Sequence, residues 1–349
     1  MDTPLVVLSA IAALALGPLP EDRLQFAVDE GSSFEKHFAL VFEVEVTDSN
    51  FTFGDQEVPL NTAGATTRIE REVHFSDTYG ALDGGRPLEL EREIRGATMR
   101  SEETFGGEPA GEEERESELV DQGVVFRWDA EEEEYTAQPA EGSRADEDQL
   151  RDLWEDADLR LLLPEGPVLE GDSWSPGAEA FFRTILAGGD MGLGSESADE
   201  DLPEVDGSVM LVIPELPKDP FVWLDSFDGD CEAHFRGVQE ERGVELGRIE
   251  LEYEVLTRVD LADWLQDHTP GRPDMEFGEA VLSIEGQGEL LWDLEGGHLA
   301  SIELGGDVEI VFEAGWQGPG GDSPPCEYGL VLEGGLEFSG GQGAPGSRR

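Results

Sequence analysis

Three carboxylates crowd a glycine in the run Asp225-Ser226-Phe227-Asp228-Gly229-Asp230. Calcium takes oxygen ligands from acidic loops, so Asp225, Asp228 and Asp230 are the chain's candidate metal ligands, with a solvated acidic turn as the competing reading. Their spacing departs from the EF-hand pattern and lacks its closing glutamate. The five histidines, His37, His74, His234, His268 and His298, fall in no HxH or HExxH spacing, so any site built from them would have to be assembled by folding. There is no G-x-S-x-G elbow, and the glycine-rich segments lack the following lysine and helix of a phosphate loop. No catalytic residue and no cofactor are assigned, calcium aside. Cys231 and Cys326 have no histidine at a metal spacing; in an oxidising compartment they would form a disulfide, and otherwise they are two unrelated buried thiols.

The background to these residues is extreme acidity. The 349 residues include 81 Asp or Glu against 22 Lys or Arg, a formal charge of −59. That balance excludes nucleic-acid binding through a basic face, because neutralising phosphates needs clustered cations. It also hides any catalytic carboxyl pair: an acidic-residue hydrolase needs two carboxyls facing across a cleft, one with a raised pKa, and sequence supplies neither distance nor environment. Charge at this density repels itself unless cations accumulate. Adaptation to salt, a divalent-rich extracellular setting, and solubility conferred by charged loops all fit.

The N-terminus carries an address. Leu5 to Leu16 is an uninterrupted run of apolar and small residues, closed by Gly17-Pro18-Leu19-Pro20. It is too short to cross a bilayer as a helix but suits the core of a secretory signal, here residues 1–17, with small residues at Ala13 and Ala15 for cleavage. The run is not preceded by Lys or Arg, which departs from the usual signal. The expectation is a periplasmic, cell-surface or secreted protein, soluble once the signal is removed. No later stretch is long and apolar enough to span a membrane as a helix.

What must position any site is a set of strands. From Phe34 to Val46 the even positions are apolar, Lys36 excepted, and the odd ones are largely polar; this is a strand with one buried face. Ile69, Val73 and Phe75 repeat the pattern, as do Cys231 to Phe235, Ile249 to Val255, Ala280 to Trp292 and Ala300 to Ala314. Arg242-Gly243 and Glu295-Gly296-Gly297 read as turns, Gly286 and Gly288 as a bend or bulge, and Gly305-Gly306 and Gly334-Gly335 as interruptions between strands. Helical spacing over 146–162, Ala178 to Ala187 and Asp260 to Gln266 predicts three short helices. The expected fold is mostly β: antiparallel meander sheets, sandwich-like or an open curved barrel, with a short helical connection. Its parts are an N-terminal half (18–193, helices near 146–187), an acidic linker (194–207), a C-terminal half (208–338) and a disordered tail (339–349). Glu102 to Glu118 and Glu131 to Asp148 read as extended hairpin tips too polar to pack.

The strings Asp77-Thr78-Tyr79, Asp83-Gly84-Gly85-Arg86-Pro87 and Leu162-Leu163-Pro164 through Gly171-Asp172-Ser173-Trp174 resemble a family of uncharacterised exported bacterial proteins of unknown function. Gly189-Asp190 and the Gly288 to His298 segment are similar to it as well. The resemblance implies a β-rich envelope or secreted protein and brings no catalytic residues. Together these readings point to a non-catalytic exported protein that binds an envelope or extracellular partner, or an apolar ligand, on a concave sheet face. The alternatives are an acidic-residue hydrolase and a salt- or calcium-dependent structural protein of the cell surface.

Overall fold

The computed structural model of the protein describes residues 24–60, 62, 64–193, 226–268, 275–317 and 324–343. The candidate signal, the acidic linker, Asp225 and residues 344–349 lie outside these. The first half of the chain contributes β1 (Ser33–Phe53), β2 (Gln56–Glu57), β3 (Thr66–Tyr79), β4 (Leu82–Asp83), β5 (Arg86–Pro87), β6 (Glu89–Phe105), β7 (Glu108–Glu116), β8 (Gly123–Asp129), β9 (Glu134–Pro139) and β10 (Ser173–Trp174). The second half contributes β11 (Phe227–Glu241), β12 (Val244–Asp260), β13 (Met275–Asp293), β14 (His298–Gln317) and β15 (Pro325–Gly343). Two α-helices, α1 (Ala178–Ile185) and α2 (Ala262–His268), and a 3-10 turn at Arg160–Leu162 complete the described elements.

Thirteen strands form one antiparallel sheet in the order β10-β11-β12-β13-β14-β15-β1-β3-β6-β8-β9, with β2 on β1 and β7 on β6; β4 and β5 form a separate hairpin. The mostly-β, antiparallel expectation holds, but the two halves of the chain share this sheet, joined where β15 runs beside β1 from Glu35↔Gly343 to Phe53↔Cys326. Period-two alternation sorts the residues by face. Phe38, Phe75, Phe235, Ile284, Phe312 and Phe338 are buried on one face, and the intervening Glu and Asp occupy the other. Segment 140–193 packs against the apolar face. The ring of Phe181 from α1 lies 4.3 Å from that of Tyr253, and Phe182 lies 4.9 Å from Phe227. Phe181 and Phe182 are buried, and fully burying a Phe side chain contributes about 1.5–3 kcal/mol.

Several sequence expectations are corrected. Residues 146–162 do not form a helix. Asp146 caps the Gln149 amide in a local turn, Leu153 pairs with Gly189 as an isolated bridge, and Leu159 adopts φ 56°. Five aspartates in that stretch compete with helical hydrogen bonding through their side chains. Gly305-Gly306 and Gly334-Gly335 do not divide strands, since β14 and β15 run through them. Nor is there a bulge at Gly286 or Gly288, because β13 keeps register with β14 from Phe277 to Leu291. Ser339 to Gly343, expected in a disordered tail, belong to β15. Glu102 to Glu116 do form the extended hairpin expected of them, as the largely exposed arms of β6 and β7.

The misread glycines gather into one patch across β13, β14 and β15, where Gly286 faces Gly306 and Gly335 faces Asp307. On the apolar face, a side chain at Gly286 would meet the Tyr253 ring at 2.8 Å and the Gly306 backbone at 2.6 Å. The missing side chains let Tyr253 lie across the strands and donate its hydroxyl to the Gly305 carbonyl, 3.0 Å away. On the polar face, a Cβ at Gly305 or Gly335 would meet no more than a backbone carbonyl oxygen at ordinary contact distance, 3.8 and 3.7 Å away.

Candidate functional site

That bare patch is the floor of a groove of about 1440 Å³ on the polar face. Seven strands, β1, β3 and β11 to β15, supply its lining, which holds ten carboxylates and one guanidinium, that of Arg68. Register arranges the carboxylates in rungs. Asp230, Glu254, Glu285 and Asp307 lie directly opposite one another on four adjacent strands. Two residues along β14 the series continues as Glu309, Glu333 and Glu45. Neighbouring strands run about 4.8 Å apart, and like charges placed directly opposite are destabilising.

Elsewhere on this face arginines relieve the same problem. Arg248 bridges Glu250 and Glu289, Arg236 Nε donates to Glu250 at 2.6 Å, and Arg258 pairs with Glu279. Among the described residues no such partner reaches Asp230, Glu254, Glu285 or Asp307. The groove is thus a concave, cation-poor strip of negative potential that would attract positive charge.

The sequence-predicted metal ligands are only partly brought together. Asp228 and Asp230 sit on β11, not in a loop, and Asp228 Oδ1 accepts from the Gly229 amide. Asp230 joins the groove. Asp225 lies outside the described residues, and among the described residues no group of three or more His, Cys, Asp or Glu has a metal-holding arrangement. The expected disulfide is not formed. Cys231 and Cys326 are free, buried thiols, because β11 and β15 are separated by β12, β13 and β14. Burial pushes the Cys231 thiol up to about 12 and raises that of Cys326, which leaves both as weak nucleophiles. Of the histidines, His37 and His74 meet across β1 and β3, with Glu35 Oε2 3.0 Å from His74 Nε2.

A second charged cluster, missed at the sequence level, lies on the apolar face. Lys36 on β1 and Asp77 and Tyr79 on β3 are fully or almost fully buried, as are Arg92 on β6 and Asp158. Lys36 Nζ lies 2.8 Å from Asp77 Oδ2, 2.6 Å from Asp158 Oδ1 and 2.6 Å from the Tyr79 hydroxyl. Tyr79 donates to Asp158 at 2.7 Å. Arg92 grips Asp77 with two hydrogen bonds, at 2.7 and 2.9 Å, and donates two further protons to the carbonyls of Trp154 and Glu155. Burial alone would raise the Asp77 carboxyl, but Arg92 and Lys36 outweigh it and hold it below its ordinary value. Burial, followed by the two aspartates, lifts the Tyr79 hydroxyl well above its usual range.

Segment 154–160 is shaped to deliver Asp158 to this cluster. The Asp156 carboxylate accepts from the backbone amides of Asp158, Arg160 and Leu161 and from the Arg160 side chain. The sequence signal for the cluster was the break in parity at Lys36; Asp77 and Arg92 occupy buried-parity positions in the same way.

No protein-family model matches the chain, and no curated protein matches it. Among solved structures, an outer membrane channel from Pseudomonas putida F1 aligns over 89% of this chain and 97% of its own, at 8% identity and a TM-score of 0.18. A score that low defines no shared fold. The class the structure itself defines is a mostly-β antiparallel protein with one apolar and one acidic face.

Proposed function

We propose that this is an exported, non-catalytic protein whose concave acidic groove binds a positively charged envelope or extracellular partner. The observation that carries the reading is the unbroken rung Asp230–Glu254–Glu285–Asp307 over a glycine floor, a row of negative charge without an arginine partner among the described residues. The N-terminal apolar run supports export, and among the described residues no helix is long and apolar enough to cross a membrane. A polycationic partner fits the groove better than the apolar ligand expected from sequence, because the concave face is the charged one. Glu155, whose carboxyl is raised by burial and by Asp156 beside it, pairs with Arg160 away from the groove. It therefore gives the hydrolase alternative no acid at the cleft.

The test is titration with a lysine-rich peptide. We expect binding that weakens steeply with salt and falls at least tenfold when Glu254 and Glu285 are both changed to Gln. Neutralising Glu112 and Glu114 on the β6–β7 hairpin should leave it unchanged. Equal losses from both pairs would reduce the effect to net charge and sink the proposal.

The same rungs favour a second reading, a protein of salty or divalent-rich surroundings in which mobile cations screen the carboxylates. Under that reading stability rises with ionic strength whether or not any peptide binds.

A further inference from the structure

We propose that Lys36 and Asp158 condense to an intramolecular amide, a covalent brace between β1 and segment 154–160. This inference is independent of the groove and rests on three observations. First, the geometry is that of reactants held in place: the Lys36 amine is 2.6 Å from one carboxylate and 2.8 Å from another, with the Tyr79 hydroxyl donating to the first. Second, the site is dry. Lys36, Asp77 and Arg92 have no exposed surface, and Phe26 and Phe34 pack on Tyr79, their ring centres 5.2 and 6.0 Å away. Replacing a buried ammonium and carboxylate by a neutral amide removes two desolvated charges. Third, the residue choice is selective. The chain uses 20 Arg and only two Lys, yet places one of those lysines here, beside a buried Arg. A guanidinium is permanently charged, whereas a desolvated amine can lose its proton and act as a nucleophile.

The partition of roles follows from charge. Asp77 is bound bidentately by Arg92, so consuming Asp158 leaves the Arg92–Asp77 pair intact and neutral. Consuming Asp77 would instead remove the carboxylate that Arg92 grips. The Lys36 ammonium passes one proton to Asp158, giving an amine and a carboxylic acid. Nζ then attacks Cγ of Asp158 and forms the C–N bond, while the Tyr79 hydroxyl stabilises the charge developing on the carboxyl oxygen. Asp77 Oδ2 takes a proton from the nitrogen and returns it to the departing hydroxyl. The C–O bond breaks, one water leaves, and Asp77 is regenerated as the carboxylate; ammonium plus carboxylate become amide plus water, with no oxidant or reductant.

Denaturing mass spectrometry of the intact chain, with a peptide map that also reads its N-terminus, decides the matter. The expected mass is one water below the mature sequence, with a branched peptide joining Lys36 to Asp158, and Lys36→Arg shows the full mass. A wild-type chain at full mass overturns the proposal, as does a water loss that maps to a linear peptide. A branch at Asp77 overturns the assignment of Asp158.

Discussion

The two faces of one sheet treat charge in opposite ways. Behind β1, β3 and β6, two cations and two anions are sealed from water and matched one to one. In front of β11 to β15 and β1, carboxylates stand opposite carboxylates with few arginines between them. The difference is solvent. A buried charge without a partner costs several kcal/mol, so the inner cluster must balance, whereas water and salt reduce the outer repulsions to fractions of that. The exposed face can thus disperse unbalanced negative charge that the buried face cannot.

The inner face should break most dramatically. Arg92→Leu strips the buried Asp77 carboxylate of its bidentate partner and is expected to cost about 3–5 kcal/mol in chemical denaturation. The same cluster sets an acid limit. Because the folded-state pKa of Asp77 lies below its ordinary 3.8, its contribution is fully present above that value and is lost as pH falls through the folded pKa. Asp77→Asn should accordingly lower stability at neutral pH and flatten its decline below about pH 4, read as urea midpoints across the acid range.

Next comes the glycine floor. A methyl group at Gly334 would sit 1.9 Å from the Glu43 carbonyl oxygen, so Gly334→Ala should cost about 1–3 kcal/mol. The smallest effect has the opposite sign. Glu285→Gln relieves repulsion from both Glu254 and Asp307 and should stabilise by roughly 0.2–1 kcal/mol at low salt. That gain should vanish near 1 M salt, where the screening length shrinks to about 3 Å. If it persists there, the outer face is not governed by screening.

Strand identity was legible because alternation is local: Phe34 to Val46 and Ile249 to Val255 sort their side chains by parity alone. Strand continuity was not. Gly305-Gly306 and Gly334-Gly335 carry turn chemistry, and only the register with β13 and β1 shows why glycine is needed in mid-strand. The 146–162 segment misled for a related reason: its apolar spacing is helical, but Asp156 spends its carboxylate on the backbone amides of a tight turn. Of the candidate site, Asp230 was singled out from its neighbours in sequence. Glu254, Glu285 and Asp307 join it through pairings of distant residues that no local pattern encodes.

The pairing of β1 with β15 also fixes a timetable. The seam at the middle of the sheet unites the first long strand among the described residues with the last of them, so β15 must be made before the centre can form. Until then β1 waits as an open edge, and the meander from β11 onward has no counterpart to dock against. Closing so distant a contact is slow, and a chain that stays open this long remains threadable. Glutamates on alternate positions of both edges discourage the wrong strand from pairing there in the meantime.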